Sequence, residues 1–102
     1  MILDGLGSGL KYNVQFTNAF KRDYRRMERQ GKDLQKLHDV ITMLANGETL
    51  PEVYRDHQLK NYRYGRRECH IAPDWLFVYQ IEDENLILVC ARTGSHAELK
   101  LE

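Results

Sequence analysis

Four side chains suited to moving protons stand at the boundaries of segments in this sequence: His57, His70, Asp74 and His96. Histidine titrates at about 6.5, so it gives or takes a proton near neutrality. Two imidazoles on opposite sides of a phosphodiester could run RNA cleavage. One would deprotonate the ribose 2′-OH and the other would protonate the departing 5′-oxygen. A fixed cation such as Arg92 would stabilise the charge that builds on the phosphate. Asp74 would serve as a base or orient a neighbouring imidazole.

Two other chemistries compete. Three histidines and an aspartate are acceptable zinc or manganese ligands. The sequence has no HExxH, no CxxC and no ligand pair one turn apart on a helix, so no metal site is predicted. Cys69 adjoins His70, but neighbours in a strand point to opposite faces, which argues against a Cys–His nucleophile. His38 is expected on the outward side of its helix and is left out of the site. Trp75 has two readings, packing in the core or stacking on a base.

These groups need a frame. Leu10, Tyr12, Val14 and Phe16 alternate with polar residues, which predicts a half-buried strand over 10–16. Thr17 or Asn18 then caps a helix whose Phe20, Tyr24 and Met27 share one face, and Gly31 ends it. Asp33 caps a second helix with a stripe of Leu34, Leu37, Val40, Ile41 and Leu44, stopped by Asn46-Gly47. So short a link predicts an antiparallel helix hairpin. Residues 48–61 lack a period and read as a loop. "YRYGRRECHIA", "WLFVYQI" and "LILVCAR" follow, separated by Pro73-Asp74 and by "EDEN". They predict an antiparallel β-meander, with the second run central and covered on both sides. A glycine turn and a short tail close the chain. This order of elements makes an α+β domain with the helix hairpin on one sheet face. The turns between strands can bring the four proton carriers to one edge.

Length and charge narrow the partners. A chain of 102 residues is one domain, here 10–102. The Gly-rich residues 1–9 read as a flexible leader or an expression scar. No apolar run approaches a membrane span, and no secretory pattern is visible. Cys69 and Cys90 lie in apolar strand segments, as reduced thiols of a cytoplasmic protein would. Basic and acidic residues cancel to a formal net charge of zero, so only a local positive face is available. Lys21, Arg22, Arg25, Arg26 and Arg29 read as solvated helix surface. Arg55, Lys60, Arg63, Arg66 and Arg67 crowd the histidines and are expected to contact a ligand.

Three segments carry a resemblance. "VYRDHQLKN", "RRECHIAPDWLFVYQI" and "RTGSHAEL" are similar to the YafQ branch of the RelE-type toxins of bacterial toxin–antitoxin pairs. The family pattern is D-H-x-L, then R-[DE]-x-H-[IV]-x-P-D-W, then R-T-G-[ST]-H-x-x-L. The match is close over 53–99 and looser back to residue 10. The resemblance implies a RelE-like, microbial-RNase-like fold. It also implies a ribosome-dependent endoribonuclease that cuts mRNA in the decoding site without a cofactor. It implies a cognate antitoxin, and operator DNA as a partner of the toxin–antitoxin complex. The family's catalytic positions fall on His57, His70, Asp74 and His96, with Trp75 and Arg92 in the same motifs. His96 is the expected general acid, Asp74 or His70 the base side, and His57 a group that positions the phosphate or assists proton transfer. Contacts to RNA would come from Arg55, Lys60, Arg63, Arg66 and Arg67. Lys100 stands where the family often carries an aromatic residue.

Overall fold

A computed structural model describes residues 11–60 and 65–100. The chain forms β1 (Asn13–Phe16), α1 (Asn18–Arg29), α2 (Leu34–Ala45), β2 (His57–Gln58), β3 (Arg67–Ala72), β4 (Trp75–Glu82), β5 (Ile87–Gly94) and α3 (His96–Leu99). One sheet holds all the strands in the order β1-β5-β4-β3-β2. β1 runs parallel to β5, and the remaining pairs are antiparallel. The α+β architecture, with a helix hairpin ahead of a meander, is the one the sequence predicts.

The helices begin where the capping chemistry places them. The Thr17 hydroxyl accepts from the Phe20 amide at 2.9 Å, and the Asp33 carboxylate accepts from the Gln35 amide at 3.2 Å. Each cap satisfies an N–H that has no partner within its helix. Phe20, Tyr24 and Met27 of α1 and Leu37, Val40, Ile41 and Leu44 of α2 are buried against one face of the sheet. That face contributes Cys69, Trp75, Phe77, Tyr79, Leu88 and Cys90. Each fully buried side chain of this size stabilises the fold by roughly 1.5–3 kcal/mol before entropy is counted.

The opposite face is only partly covered. Leu76 and Val78 of the central strand pack there with Ala91 and Leu99, and Leu59 lies against them. β4 is thus covered on both sides, as its unbroken apolar run requires.

Several expectations need correction. The N-terminal strand is shorter than 10–16, because the Tyr12 amide leaves the ladder for the Ala45 carbonyl at 2.9 Å. The region 48–61 is not simply a loop. It makes a 3-10 turn at Glu52–Tyr54 and the short strand β2. The tail after Gly94 coils into α3, which Ser95 starts with a reciprocal capping box to Glu98. His38 is buried rather than outward, with its Nε2 2.8 Å from the Tyr24 hydroxyl and the two rings stacked. Residues 1–9, read as a leader, lie outside the described residues.

Candidate active site

Register decides which side chains share the open face. His57 pairs with Glu68, Glu68 with Val78, and Val78 with Arg92, which makes one row across four strands. His70 pairs with Leu76, and Leu76 with Gly94, in the next row. Cross-strand partners lie on one face. The face away from the helix hairpin therefore gathers His57, Glu68, His70 and Arg92. α3 begins directly beyond Gly94 and adds His96 at the end of the second row.

The imidazoles form an arc. The His57 and His70 ring centroids are 6.5 Å apart, and those of His70 and His96 are 5.8 Å apart. Such spacing leaves room for a phosphate whose oxygens each reach a ring nitrogen at hydrogen-bond length, about 2.6–3.2 Å.

Asp74 governs one end of the arc. Pro73 and Asp74 link β3 to β4, and the Asp74 carboxylate turns toward the start of α3. Its Oδ1 lies 2.8 Å from His96 Nδ1 and 3.2 Å from the His96 amide, which donates to it. The hydrogen bond from the His96 ring, then the one from its amide, holds the Asp74 carboxyl below the usual carboxylate range. An ionised carboxylate accepts only, so His96 Nδ1 carries hydrogen and Nε2 faces away from Asp74. Asp74 is thus placed to orient the His96 imidazole.

The other end is built around Glu68, which sequence reasoning missed. This buried carboxylate has Oε1 3.5 Å from His57 Nε2 and 3.8 Å from His70 Nε2. His57 Nδ1 lies 2.8 Å from the Arg55 carbonyl. A carbonyl can only accept, so Nδ1 donates and Nε2 is turned toward Glu68. Arg55 is left-handed, with φ of 51°, and that turn aims its carbonyl at the ring. The signal for Glu68 was its spacing: two residues before His70 on a strand, it must share the His70 face.

Arg92 is anchored by a second missed acid. The Asp23 carboxylate of α1 is buried and accepts from Arg92 Nε at 2.6 Å, Arg92 Nη2 at 3.2 Å, Arg26 Nη1 at 3.0 Å and the Thr93 amide at 3.1 Å. It takes over the edge of β5 where β1 ends at Phe16. Arg92 is thus a cation fixed in place by α1. Asp23 lies between Phe20 and Met27 at helical spacing, and an acid on an apolar stripe signals a partner.

Other expected ligand contacts are placed elsewhere. Trp75 is buried on the helix-covered face, and its indole donates to the Thr93 hydroxyl at 2.9 Å. Its ring packs in the core and offers no open face to a base. Arg67 lies opposite Tyr79 and clasps Asp56 with Nε at 3.2 Å and Nη2 at 3.1 Å, while the Tyr79 hydroxyl donates to the same carboxylate. That ion pair ties the approach to β2 onto β3, so Arg67 is held by the fold rather than presented to a ligand. Arg55 and Lys60 are exposed near β2, and Arg66 is half-buried. Arg63 lies outside the described residues.

Both cysteines are buried and reduced, and burial pushes each thiol far up. Cys69 faces Phe77 in the core, away from His70. Among the described residues, no group of three or more His, Cys, Asp and Glu is arranged to hold a metal ion.

Comparison with known proteins places the chain in a family. The sequence profile of the family described as bacterial toxin of type II toxin–antitoxin system, YafQ, matches residues 12–101. The chain belongs to the YafQ toxin family. It is 34% identical to the mRNA interferase toxin YafQ of Escherichia coli strain B over 91 residues, covering 88% of this chain and 97% of that protein. The crystal structure of the E. coli DinJ–YafQ toxin–antitoxin complex matches with a TM-score of 0.81 at 33% identity, covering 88% of this chain and 98% of that one. The crystal structure of E. coli YafQ from strain BL21(DE3) gives a TM-score of 0.79 at 34% identity, covering 86% and 97%. The YafQ fold is thus present along nearly its full length. No helix among the described residues is long and apolar enough to cross a membrane.

Proposed function

We propose that this YafQ-family protein is an endoribonuclease toxin that cuts mRNA on the ribosome, using the 2′-OH as nucleophile and no metal. The observation that carries this reading is the arc of three imidazoles, with a carboxylate fixed on the ring at one end.

In the reaction, the scissile phosphate lies between His70 and His96. His70 takes the proton of the ribose 2′-OH, with the Glu68 carboxylate 3.8 Å from its Nε2. The 2′-oxygen attacks phosphorus and the P–O5′ bond breaks. His96 gives its Nε2 proton to O5′, while Asp74 keeps the ring oriented through Nδ1. The products are a 2′,3′-cyclic phosphate and a 5′-hydroxyl. His57, held by the Arg55 carbonyl, contacts a non-bridging oxygen, and Arg92 contributes the fixed positive charge.

A shallow open face selects little by itself, so the ribosome presents the mRNA. Arg55, Lys60 and Arg66, with Arg63, supply salt-sensitive contacts to RNA phosphates. Neutralisation falls to a cognate antitoxin, the kind of partner DinJ is for YafQ in the E. coli complex. The toxin–antitoxin complex would then bind operator DNA, and the protein would act in the cytoplasm.

Primer-extension mapping of an mRNA in a purified translation system tests the reading. Cuts in frame with codons, absent without ribosomes, are expected. Equal cutting of naked RNA would make the protein a free ribonuclease, and no cutting would remove the activity.

A further inference from the structure

Helix α3 carries His96 but cannot hold itself. It has four residues, His96–Leu99, too few for a helix to persist on its own hydrogen bonds. The direction of the His96 ring is therefore set by what fastens α3 to the rest of the fold. Leu99 packs against Leu76, Val78 and Ala91. Asp74 meets the ring and the amide of His96 from the exposed side. A further fastening comes from α1.

That fastening is Arg26. Lys21, Arg22, Arg25 and Arg29 are exposed, as a solvated helix surface predicts, but Arg26 turns inward and is half-buried. Its Nη1 donates to the Asp23 carboxylate at 3.0 Å and its Nη2 to the Thr93 carbonyl at 3.1 Å. Nη2 also donates to Glu98 Oε1 at 3.4 Å. The buried Nε lies 3.0 Å from Glu98 Oε2, a charge contact without hydrogen-bond alignment. The Thr93 amide donates to Asp23, so α1 grips Thr93 on both sides. Glu98 in turn accepts from the Ser95 amide at 2.9 Å and from Gln30 Nε2 at 2.9 Å. One guanidinium thus joins both flanks of His96, Thr93 before it and Glu98 after it. Gly94 makes room for this, because a Cβ there would stand 2.6 Å from Arg26 Nη2.

We infer that Arg26 is a positioning residue for the cleavage step: it clamps the junction of β5 and α3 from α1, and so sets where His96 Nε2 stands against the departing O5′. The inference rests on the RNA-cleaving reading and adds to it a residue that touches no reacting atom. The planar fork matters, because an ammonium could not serve Asp23, Thr93 and Glu98 from fixed directions at once. A displaced Nε2 slows proton transfer steeply, since about 1 Å of misplacement costs roughly 10²-fold.

Two measurements test the clamp. In the first, Arg26→Gln and Glu98→Gln are compared with wild-type protein on programmed ribosomes, in single turnover at saturating protein and at a temperature where melting curves show each to be folded. Glutamine at 98 still accepts from the Ser95 amide, so the cap survives. One mRNA has the ordinary linkage at a mapped cut, and the other has sulfur in place of O5′. A thiolate departs without a proton, whereas an alkoxide needs one. Arg26→Gln should cut the ordinary linkage roughly 10–100-fold more slowly. It should cut the sulfur linkage within about threefold of the wild-type rate, because no acid is needed there. Glu98→Gln should show the same selectivity, and adding it to Arg26→Gln should slow the ordinary linkage little further, since both remove one contact. Equal slowing of both linkages would mean that Arg26 acts through stability, or through Arg92, which shares Asp23 with it, and overturns the inference. So does an undiminished rate on the ordinary linkage. The second measurement needs no RNA. In ¹H–¹⁵N spectra of the histidine rings, the His96 Nδ1 resonance should move in Arg26→Gln while those of His57 stay in place. A His96 resonance that does not move overturns the clamp even if the protein cuts RNA. A moved resonance in a protein whose wild type cuts neither linkage would leave the clamp standing and remove the reaction.

Discussion

Replacing Asp23 by asparagine tests how α1 supports the active face. The carboxylate is buried and accepts four hydrogen bonds, two from Arg92, one from Arg26 and one from the Thr93 amide. Asparagine keeps the shape, removes the charge and turns an amide N–H₂ toward guanidinium donors. Breaking a buried pair from one side costs about 3–5 kcal/mol. Here the Arg92 and Arg26 side chains are 35% and 28% exposed, so water recovers part of the loss. A cost of about 2–3 kcal/mol is what remains. For a domain of this length that is a fall in Tm of roughly 10–20 °C. Urea unfolding should give the same loss through the midpoint, with the slope unchanged. A double-mutant cycle with Arg92→Gln separates the ion pair from the amide contact. The two changes should couple by at least about 1 kcal/mol, because the residues touch. A Tm shift under about 3 °C, or strict additivity, would refute the claim that Asp23 anchors Arg92.

Other outcomes follow from the same contacts. Asp74 is exposed and bonded only to His96 among the described residues, so Asp74→Asn should leave Tm unchanged while slowing cleavage roughly 10²–10⁴-fold; single-turnover rates alongside a melting curve check both halves. Burial holds the His38 proton affinity below its ordinary value, against an opposing pull from Asp39. Its contribution to stability is therefore complete above the unfolded value of about 6.5 and is lost as pH falls toward the folded value. Urea midpoints at pH 7.5 and 5.5 should converge in His38→Gln, and an unchanged difference would exclude His38 as the source. Trp75→Phe should cost about 1 kcal/mol, for its bond to Thr93, without changing which sites are cut. Arg67→Glu should lower stability, because it sets a like charge against Asp56, whereas Lys60→Glu should weaken ribosome binding at unchanged Tm.

Local chemistry made much of the fold legible. Thr17 and Asp33 announce their helices, because an N-cap acts within three residues of itself. The unbroken apolar run over β4 and the Pro73-Asp74 break before it set out β3 and β4, because both signals are local. What the sequence hid was pairing at long range. Nothing near residues 13–16 says that β1 lies parallel to β5, or that it stops short enough for Asp23 to take the Thr93 amide. His38 was misplaced by residue type alone. Its position, four after Leu34 and three before Ile41, already puts it on the buried stripe, but its partner Tyr24 is in another helix. Trp75 by residue type admits two readings, yet Phe77 and Tyr79, at two-residue spacing, share its core face. Arg67 looked like one of five ligand cations because Asp56, eleven residues away, is joined to it only by the pairing of β2 with β3. His57, His70, Asp74 and His96 were legible as groups that the turns could bring to one edge, and there they meet. Glu68 and Asp23, which hold such groups still, were legible only as charges on buried faces.

The claim that these imidazoles activate a ribose hydroxyl is tested most directly by a single-atom change in the substrate. An mRNA carrying one 2′-deoxynucleotide immediately 5′ of a mapped cut is placed on programmed ribosomes with the protein. Cutting should vanish at that phosphate and persist at unmodified sites, whose upstream fragments should end in a 2′,3′-cyclic phosphate. Continued cutting beside the deoxynucleotide would mean that water is the nucleophile, and the mechanism built on His70 and His96 would be wrong.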